Sequence, residues 1–206
     1  MILLAAAVDD ELLPFRERLE GARGIRFHSI GVGPVEAALG AAESLAKETS
    51  VAILVGTCGV FPGVDLRVGQ AVCVERSILS ASDVGAGRSY VPGPAQLVSR
   101  ADERLVASLA EAGLPRVGSA TVPAITRDAA SAEALRAASG MEVEHLEAHA
   151  FLRAAERRGV PAACVLGIAN VVGPTAHEEW KTNAASAAAA AAEALLPWLE
   201  ARLPRN

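Results

Sequence analysis

The chain has 206 residues, with 24 acidic against 19 basic side chains and a formal net charge of −5. It contains no long basic run, which makes nucleic acid and anionic membranes poor candidates as partners. Apolar residues make up 51% of the chain and aromatic residues only 3%. This length can bury a sizeable core, so we expect a single domain over residues 1–206 in which small alanine side chains pack helices closely against a sheet.

The cysteines and the two ends of the chain predict a cytoplasmic protein. Cys58, Cys73 and Cys164 are far apart and form no CxxC pair, which is typical of buried free thiols in a reducing compartment. The start, MILLAAAVDDELLPF, lacks the basic segment that opens a signal peptide. The alanine-rich tail predicts a helix that Glu193 and Pro197 keep well short of a bilayer span.

In the first half of the chain, short apolar runs alternate with helical stretches. The runs predict strands at Ile2–Val8, Ile25–Ile30, Val51–Val55 and Gln70–Leu79. Asp9 can cap a helix that follows the first strand. The stretch GVGPVEAALGAAESLAKE predicts a second helix, with Pro34 in its first turn and Ala37, Ala38 and Ala41 on a face of small residues.

The alternation continues in the second half, after two predicted loops. The stretch GTCGVFPGVDLRVG leaves the third strand at Gly56, and residues 83–95 carry glycine and proline without periodicity, which predicts an exposed loop or lid. The elements that follow are helices over 101–112 and 128–138, a strand over Val117–Ile125 between them, a helix over Glu144–Arg158 and a final strand over Ala162–Ala169.

Repeated alternation of apolar strands and helices predicts an α/β fold, a three-layer α/β/α sandwich around a mixed, largely parallel central sheet. Ligands in such sheets bind at the carboxyl ends of the strands. Four polar or glycine-rich clusters fall there: residues 9–11, 31–33, 56–59 and the segment from Asn170 onward.

Two glycine-rich turns each allow a structural and a functional interpretation. GVGPVE comes close to a dinucleotide fingerprint, but Glu36 replaces the third glycine and the turn follows the second strand. The alternatives are a tight turn before a helix that begins with proline, or helix amides that face an anion or a sugar. GTCG makes a bend or lets the backbone approach another group closely. Cys58 has no histidine near it in sequence to activate it as a nucleophile.

Acidic residues and histidines mark two further segments. Glu11 is either a first-turn carboxylate that favours the helix dipole or a group that activates water. In EVEHLEAHA, helical spacing puts Glu144 and Glu147 on one face and His145 and His149 on another. The HxxxH spacing could chelate zinc, but the HExxH arrangement is absent. A carboxylate here could instead accept two hydrogen bonds from a sugar diol.

The stretch GIANVVGPTAHEEW leaves an apolar strand through an amide and then brings an imidazole and an indole close together. A polar loop is one interpretation, and a flat ligand with hydrogen-bonding edges at the end of the strand is the other. The residues concerned are Asn170, His177 and Trp180.

The motifs GVGPVEAA, GTCGVFPGVDLRVG, VEHLEAHAF and GIANVVGP, in this order and spacing, resemble those of the purine nucleoside phosphorylase and nucleosidase superfamily. The resemblance covers nearly the whole chain and is greatest to the futalosine hydrolases within that superfamily. It implies a nucleoside phosphorylase-like domain that acts on a purine nucleoside without a metal or organic cofactor. It also implies a homodimer or a higher homo-oligomer.

The resemblance also implies roles for individual residues. Glu11 matches the carboxylate that activates the attacking water, Leu146 and Glu147 match the pair that holds the ribose, and Asn170 matches the residue that faces purine N7. His177 and Trp180 are expected to close over the base or sugar. The remaining substrate contacts implied are Gly33, Thr57, Cys58 and Gly59.

Two departures from the family pattern refine the expected activity. Adenine-releasing members have Asp where this chain has Asn170, and an amide NH₂ can donate to N7 or O6, which favours 6-oxopurines. Hexameric phosphorylases place an arginine before this glycine-rich loop, whereas residues 52–55 are apolar. A phosphate dianion would lack a charged partner there, so water is the expected nucleophile.

The activity implied is therefore hydrolysis of the N-glycosidic bond of a 6-oxopurine nucleoside, with futalosine of the menaquinone route as the candidate. One alternative is a phosphorylase that recruits Arg16, Arg67 or Arg88 to hold phosphate. Another is a nucleoside-binding module without catalysis, since the Asp is missing and Leu146 replaces the usual Met.

Overall fold

The computed structural model describes residues 1–204. Within them the chain forms eight strands, seven α helices and one short 3-10 helix, Asp9–Leu12. The strands are β1 (Ile2–Ala6), β2 (Ile25–Ser29), β3 (Val51–Val60), β4 (Ala71–Leu79), β5 (Val98–Arg100), β6 (Arg116–Thr121), β7 (Val143–His145) and β8 (Ala162–Val171). The helices are α1 (Leu13–Arg18), α2 (Gly33–Ser44), α3 (Ser82–Gly85), α4 (Glu103–Glu111), α5 (Ala129–Ser139), α6 (Ala148–Arg158) and α7 (Ala176–Glu200).

All eight strands belong to one mixed sheet. The chain of neighbours runs β2-β1-β3-β7-β6-β4-β5, and β8 lies against both β3 and β4. Five of the eight strand pairings are parallel. The predicted α/β fold with a largely parallel sheet is therefore confirmed.

Helices cover both faces of the sheet and bury a separate core against each. On one face, Phe15 of α1 and Leu195 of α7 pack with Ile53 of β3. On the other, Ala41 of α2 and Phe151 of α6 belong to a second buried cluster. Alanine suits this role because a small side chain lets the helix axis approach the sheet closely, as the composition predicts.

A β-bulge shapes the end of the central pair of strands. Cys58 of β3 pairs with Ile168 of β8, but the next residue, Gly59, pairs with Asn170, so that Ala169 is left as an extra residue. The backbone carbonyl of Ala169 still has a hydrogen-bond partner, because it accepts from Asn183 Nδ2 on α7 at 3.0 Å. A shift by one residue reverses the face to which a side chain points, so the bulge decides where Asn170 is directed.

Several predicted boundaries are wrong. The third strand does not end at Gly56 but continues to Val60, since its last residues pair with β7 and β8. The helix predicted over Glu144–Arg158 begins only at Ala148. Residues 143–145 instead form β7 between β3 and β6, where pairing with two strands overrides helical spacing.

Three smaller predictions at element ends also need correction. Asp9 does not cap a helix, because its Oδ1 accepts hydrogen bonds from Ser29 Oγ at 2.7 Å and from Arg16 at 3.1 Å. The strand predicted over Val117–Ile125 ends at Thr121. Most of the predicted loop over 83–95 is exposed, with Tyr90 85% exposed, although α3 occupies its first residues.

Two further properties concern the interior and the surface of the chain. All three cysteines are free and buried, and burial raises the pKa of each thiol. No helix within residues 1–204 is both long enough and apolar enough to cross a membrane.

Candidate active site

A cavity of about 320 Å³ opens at the carboxyl ends of β1, β3 and β8. It brings together most of the residues that the sequence singles out, although they are spread over 170 positions of the chain. The predicted residues on its wall are Glu11, Thr57, Cys58, Gly59, Leu146, Glu147, Asn170, His177 and Trp180. Gly33 is not on the wall, but its backbone N–H donates a hydrogen bond to the wall residue Glu147.

Glu11 has a buried carboxyl group of which one oxygen accepts hydrogen bonds from the chain and the other has no partner in the described residues. Its Oε1 accepts from the Thr57 backbone N–H at 3.1 Å and from the Thr57 hydroxyl at 3.4 Å. Its Oε2 is buried and has no hydrogen-bond partner within residues 1–204. Burial, and after it the negative charge of Glu147, raises the pKa of Glu11 from 4.5 to about 7. Such a group can accept a proton near neutral pH.

Two glycines of β3 make room for the polar groups of the site. A Cβ atom at Gly56 would lie 2.9 Å from Glu11 Oε1, and a Cβ atom at Gly59 would lie 2.8 Å from Asn170 Nδ2. Any other residue would force these side chains to move. The close approach that the two glycines of GTCG permit is thus an approach to two of the protein's own polar side chains. Gly56 was not among the predicted site residues.

Glu147 lies beside Glu11 in the same cavity and is also buried. Its Oε1 accepts from the backbone N–H of Gly33 at 2.8 Å, so the first amide of α2 faces a carboxylate of the chain itself. Its Oε2 lies 3.3 Å from Nε2 of His145. Burial raises the pKa of Glu147 to about 7. Two carboxyl groups with such pKa values in one cavity are typical of an active site.

Glu144 and the two histidines do not form the predicted arrangement of helical faces. Glu144 lies in β7 and accepts from Thr126 N–H at 3.1 Å and from Thr126 Oγ1 at 2.5 Å. The backbone N–H of His149 donates to Thr121 Oγ1 at 3.0 Å. Within residues 1–204, no group of three or more His, Cys, Asp or Glu side chains is placed to hold a metal ion.

Asn170 closes the β8 side of the cavity and is only 9% exposed. Its Nδ2 donates to the Val171 carbonyl at 3.2 Å. That carbonyl can only accept, so it identifies the NH₂ end of the amide. The second N–H of the same group remains for another acceptor.

The start of α7 supplies an aromatic wall. Trp180 Nε1 donates to Thr57 Oγ1 at 3.1 Å, and the rings of His177 and Trp180 stack with centroids 6.2 Å apart and planes 9° apart. Because Thr57 Oγ1 is also within 3.4 Å of Glu11 Oε1, its hydroxyl links the indole to the carboxyl group. Trp180 is 44% exposed, so the wall stands at the mouth of the cavity.

The arginines proposed as a phosphate site lie elsewhere. Arg16 pairs with Asp9 at 3.1 Å and Arg88 pairs with Asp83 at 2.6 Å. Neither they nor Arg67 reach the wall, and in the described chain no lysine or arginine lines the cavity. The apolar residues 52–55 are buried in β3.

Other wall residues were not predicted from the sequence. They are Ala7, Val8, Val32, Ile125, Glu144, His145 and Ala176. Val8 lies two residues past the end of β1, and Val32 lies three residues past the end of β2, inside the glycine-rich cluster 31–33 predicted at a strand end. Both could have been found by extending the strand-end argument to apolar residues. Ile125 comes from the loop after β6, and nothing in its sequence neighbourhood marks it.

Comparisons with known proteins agree with this fold. A family model described as the phosphorylase superfamily matches residues 21–200. A futalosine hydrolase from Thermus thermophilus is 29% identical over 185 residues, covering 82% of this chain and 79% of that protein. Among solved structures, a mutant futalosine hydrolase from Helicobacter pylori has a TM-score of 0.86 at 17% identity, with 97% of this chain and 98% of that chain covered. A putative 5′-methylthioadenosine/S-adenosylhomocysteine nucleosidase from Francisella philomiragia has a TM-score of 0.85 at 14% identity, with the same coverage.

Proposed function

Because the chain belongs to the phosphorylase superfamily, we propose that it is a nucleosidase that hydrolyses the N-glycosidic bond of a 6-oxopurine nucleoside. One observation carries the proposal. Two buried carboxyl groups and an amide, Glu11, Glu147 and Asn170, line one cavity whose wall holds no cationic Lys or Arg in the described chain. The futalosine hydrolase relative supports hydrolysis as the reaction.

Each polar group has a separate task in this reaction. Glu147 accepts hydrogen bonds from the ribose hydroxyls, and the open oxygen of Glu11 accepts one from the attacking water. The water oxygen bonds to C1′ as the C1′–N9 bond breaks, and a water proton passes to Glu11. The electron pair of the broken bond leaves on the purine, where an N–H of Asn170 stabilises it. Because an amide cannot transfer a proton, solvent protonates the released base.

The charge of the cavity favours water over phosphate as the nucleophile. A phosphate dianion beside Glu11 and Glu147 would face two acidic groups without a charge-assisted donor. Water has no charge, and Glu11 has an unoccupied oxygen to receive its proton. A phosphorylase would need a cation at this wall, and Arg16 and Arg88 are engaged in ion pairs with aspartates.

Asn170 favours a purine with oxygen at C6. Its NH₂ group can donate to N7 or O6 of hypoxanthine, whereas it would oppose the amino group of adenine with another donor. Futalosine is our specific candidate, by analogy with the named activity of the Thermus thermophilus relative. The protein would then act in the futalosine route of menaquinone biosynthesis.

The decisive experiment identifies the products with and without phosphate. The purified protein is incubated with inosine, futalosine and adenosine, and the sugar product is analysed. We expect free sugar and free base from the 6-oxopurine substrates, at a rate that phosphate does not raise. The Glu11→Gln variant from a matched preparation controls for contaminating nucleosidases.

Two other outcomes would contradict the proposal. Ribose 1-phosphate formed only in the presence of phosphate would identify a phosphorylase. Binding without any product would identify a nucleoside-binding module. The predicted homo-oligomer and cytoplasmic location are separate proposals, and light scattering of the purified protein measures the first.

A further inference from the structure

The imidazole of His145 caps the N-terminus of α6. Its Nδ1 lies 3.1 Å from the backbone nitrogen of Glu147 and 3.0 Å from that of Ala148, and both amides donate to it. Helix amides in the first turn have no partner within the helix, so the ring satisfies two of them. The backbone of His145 is held in turn, because its carbonyl accepts from the Val122 N–H at 3.0 Å.

This cap determines which ring nitrogen carries the proton. A nitrogen that accepts two hydrogen bonds cannot bear hydrogen, and a neutral imidazole has one acceptor and one donor nitrogen. Nε2 of His145 is therefore the N–H group. Burial lowers the pKa of His145 to about 4, so the ring is neutral at pH 7.

The N–H group faces the carboxyl group of Glu147. Nε2 lies 3.3 Å from Oε2, while Gly33 N–H donates to Oε1 on the other side of the same carboxyl group at 2.8 Å. The side chains of His145 and Glu147 are both only 5% exposed. At 3.3 Å this contact is longer and less well aligned than a good hydrogen bond. Catalytic hydrogen bonds in a free enzyme are often long or poorly aligned and tighten only when substrate binds.

We propose that His145 is a positioning residue that orients Glu147 toward the vicinal hydroxyls of a ribose, as the Nε2–H tautomer that the α6 N-terminus selects. The inference rests on the proposed nucleosidase function. An aspartate or serine could cap the helix equally well, but neither has a donor on the far side of the acceptor. The histidine ring provides both an acceptor for the amides of α6 and a donor that faces the carboxyl group of Glu147.

Two substitutions of His145 separate the capping of α6 from the orientation of Glu147. In His145→Asn, the amide oxygen can replace Nδ1 as the helix cap, but no donor reaches Glu147. In His145→Gln, the longer amide can bring its NH₂ group to the place of Nε2, but the cap is lost. We expect the Asn variant to melt near the wild type and to lose about tenfold in affinity for inosine. We expect the Gln variant to melt lower and to retain more of this affinity.

Free hypoxanthine provides the internal control, because it has no ribose. The ratio of inosine to hypoxanthine affinity should fall in His145→Asn, whereas a merely structural role of His145 would weaken both ligands alike. An unchanged ratio in an active enzyme would overturn this inference and leave the nucleosidase function intact. A wild type that binds neither ligand would overturn both.

The tautomer can be tested without any ligand. Nitrogen-15 NMR of the imidazole in the free protein should show a protonated Nε2 and an unprotonated Nδ1 for His145 throughout pH 5.5 to 8. Glu147→Gln should shift the Nε2 resonance and leave that of Nδ1 nearly unchanged. A ring protonated at Nδ1, or on both nitrogens at pH 7, would overturn the inference whatever the activity assays show.

Discussion

At the scale of single residues, Glu11 combines a raised pKa with an unoccupied carboxylate oxygen. Changing Glu11→Gln should lower turnover of a 6-oxopurine nucleoside by about 10² to 10⁴, the usual loss on removing a general base. The amide oxygen can still accept from Thr57, so affinity for the free base should change little. Steady-state kinetics and base titration measure the two effects. Wild-type turnover in the variant would leave Glu11 as an ordinary first-turn carboxylate.

Asn170 provides a test of substrate specificity. In the wild type we expect kcat/KM for inosine to exceed that for adenosine. Asn170→Asp should shift this ratio toward adenosine, because a carboxylate can accept from the 6-amino group and a carboxylic acid can donate to N7. A site that hydrogen-bonds one edge of a ligand can discriminate by up to about 10⁴, and a cavity that admits water should show less. A ratio that the substitution does not move would place Asn170 away from the purine edge.

At the scale of elements, β3 and β8 support the site together. Gly59→Ala would bring a Cβ atom to 2.8 Å from Asn170 Nδ2 and 2.9 Å from a methyl group of Val172, so one of these side chains must move. A displacement of about 1 Å in an active site can cost on the order of 10² in rate, and we expect a loss of that size in kcat/KM.

Gly93→Ala is the matched control for this substitution, since a Cβ atom at Gly93 would meet no atom within 4 Å. The control should keep both its kinetics and its melting temperature. If Gly59→Ala loses stability but keeps wild-type kcat/KM when folded, the close approach serves packing and not the position of Asn170.

The elements also show which features of this fold a sequence can predict. The apolar run of β3 and Pro34 at the start of α2 are local signals, since burial and helix initiation depend on neighbouring residues. The three-residue strand β7 exists only because β3 and β6 flank it. The bulge at Ala169 likewise depends on the pairing of β3 with β8, and no local pattern encodes it.

The same distinction applies to the candidate site. Glu11 and Asn170 could be singled out because Glu11 lies three residues past the first apolar run and Asn170 ends the last one. Ligands of α/β sheets bind at such strand ends. The cap formed by His145 could not, because it requires a strand to end three residues before α6 begins. The helical spacing of His145 and His149 allowed a zinc site only as an alternative. That spacing does not occur, because His145 lies in β7 and only His149 lies in α6.

At the scale of the whole molecule, the buried carboxyl groups make stability depend on pH. The pKa of Glu11 and that of Glu147 rise from 4.5 to about 7 on folding. Between these values the folded chain retains protons that the unfolded chain has released, so the free energy of unfolding falls as pH rises from about 4.5 through 7. The stabilisation is complete below pH 4.5 and lost above 7.

Glu11→Gln isolates this contribution from that of other carboxylates. At pH 4 the variant and the wild type should unfold at similar urea concentrations. At pH 8 the variant should be more stable by about 3 kcal/mol, because it no longer has to bury a charge. The measurement is urea denaturation of both proteins across this range. Parallel stability curves would mean that Glu11 ionises in the folded protein at its ordinary pKa.

The burial of all three cysteines has a practical consequence for how the molecule opens. Cys73 belongs to the core that α1, α4 and α7 cover, and Cys164 belongs to the core that α2 and α6 cover. Each face of the sheet therefore has a buried thiol. A thiol reagent can modify either residue only while the covering layer is open, and its rate reports how often that happens. Peptide mass spectrometry would then tell whether the two layers separate from the sheet in one event or independently, without introducing any label into the chain.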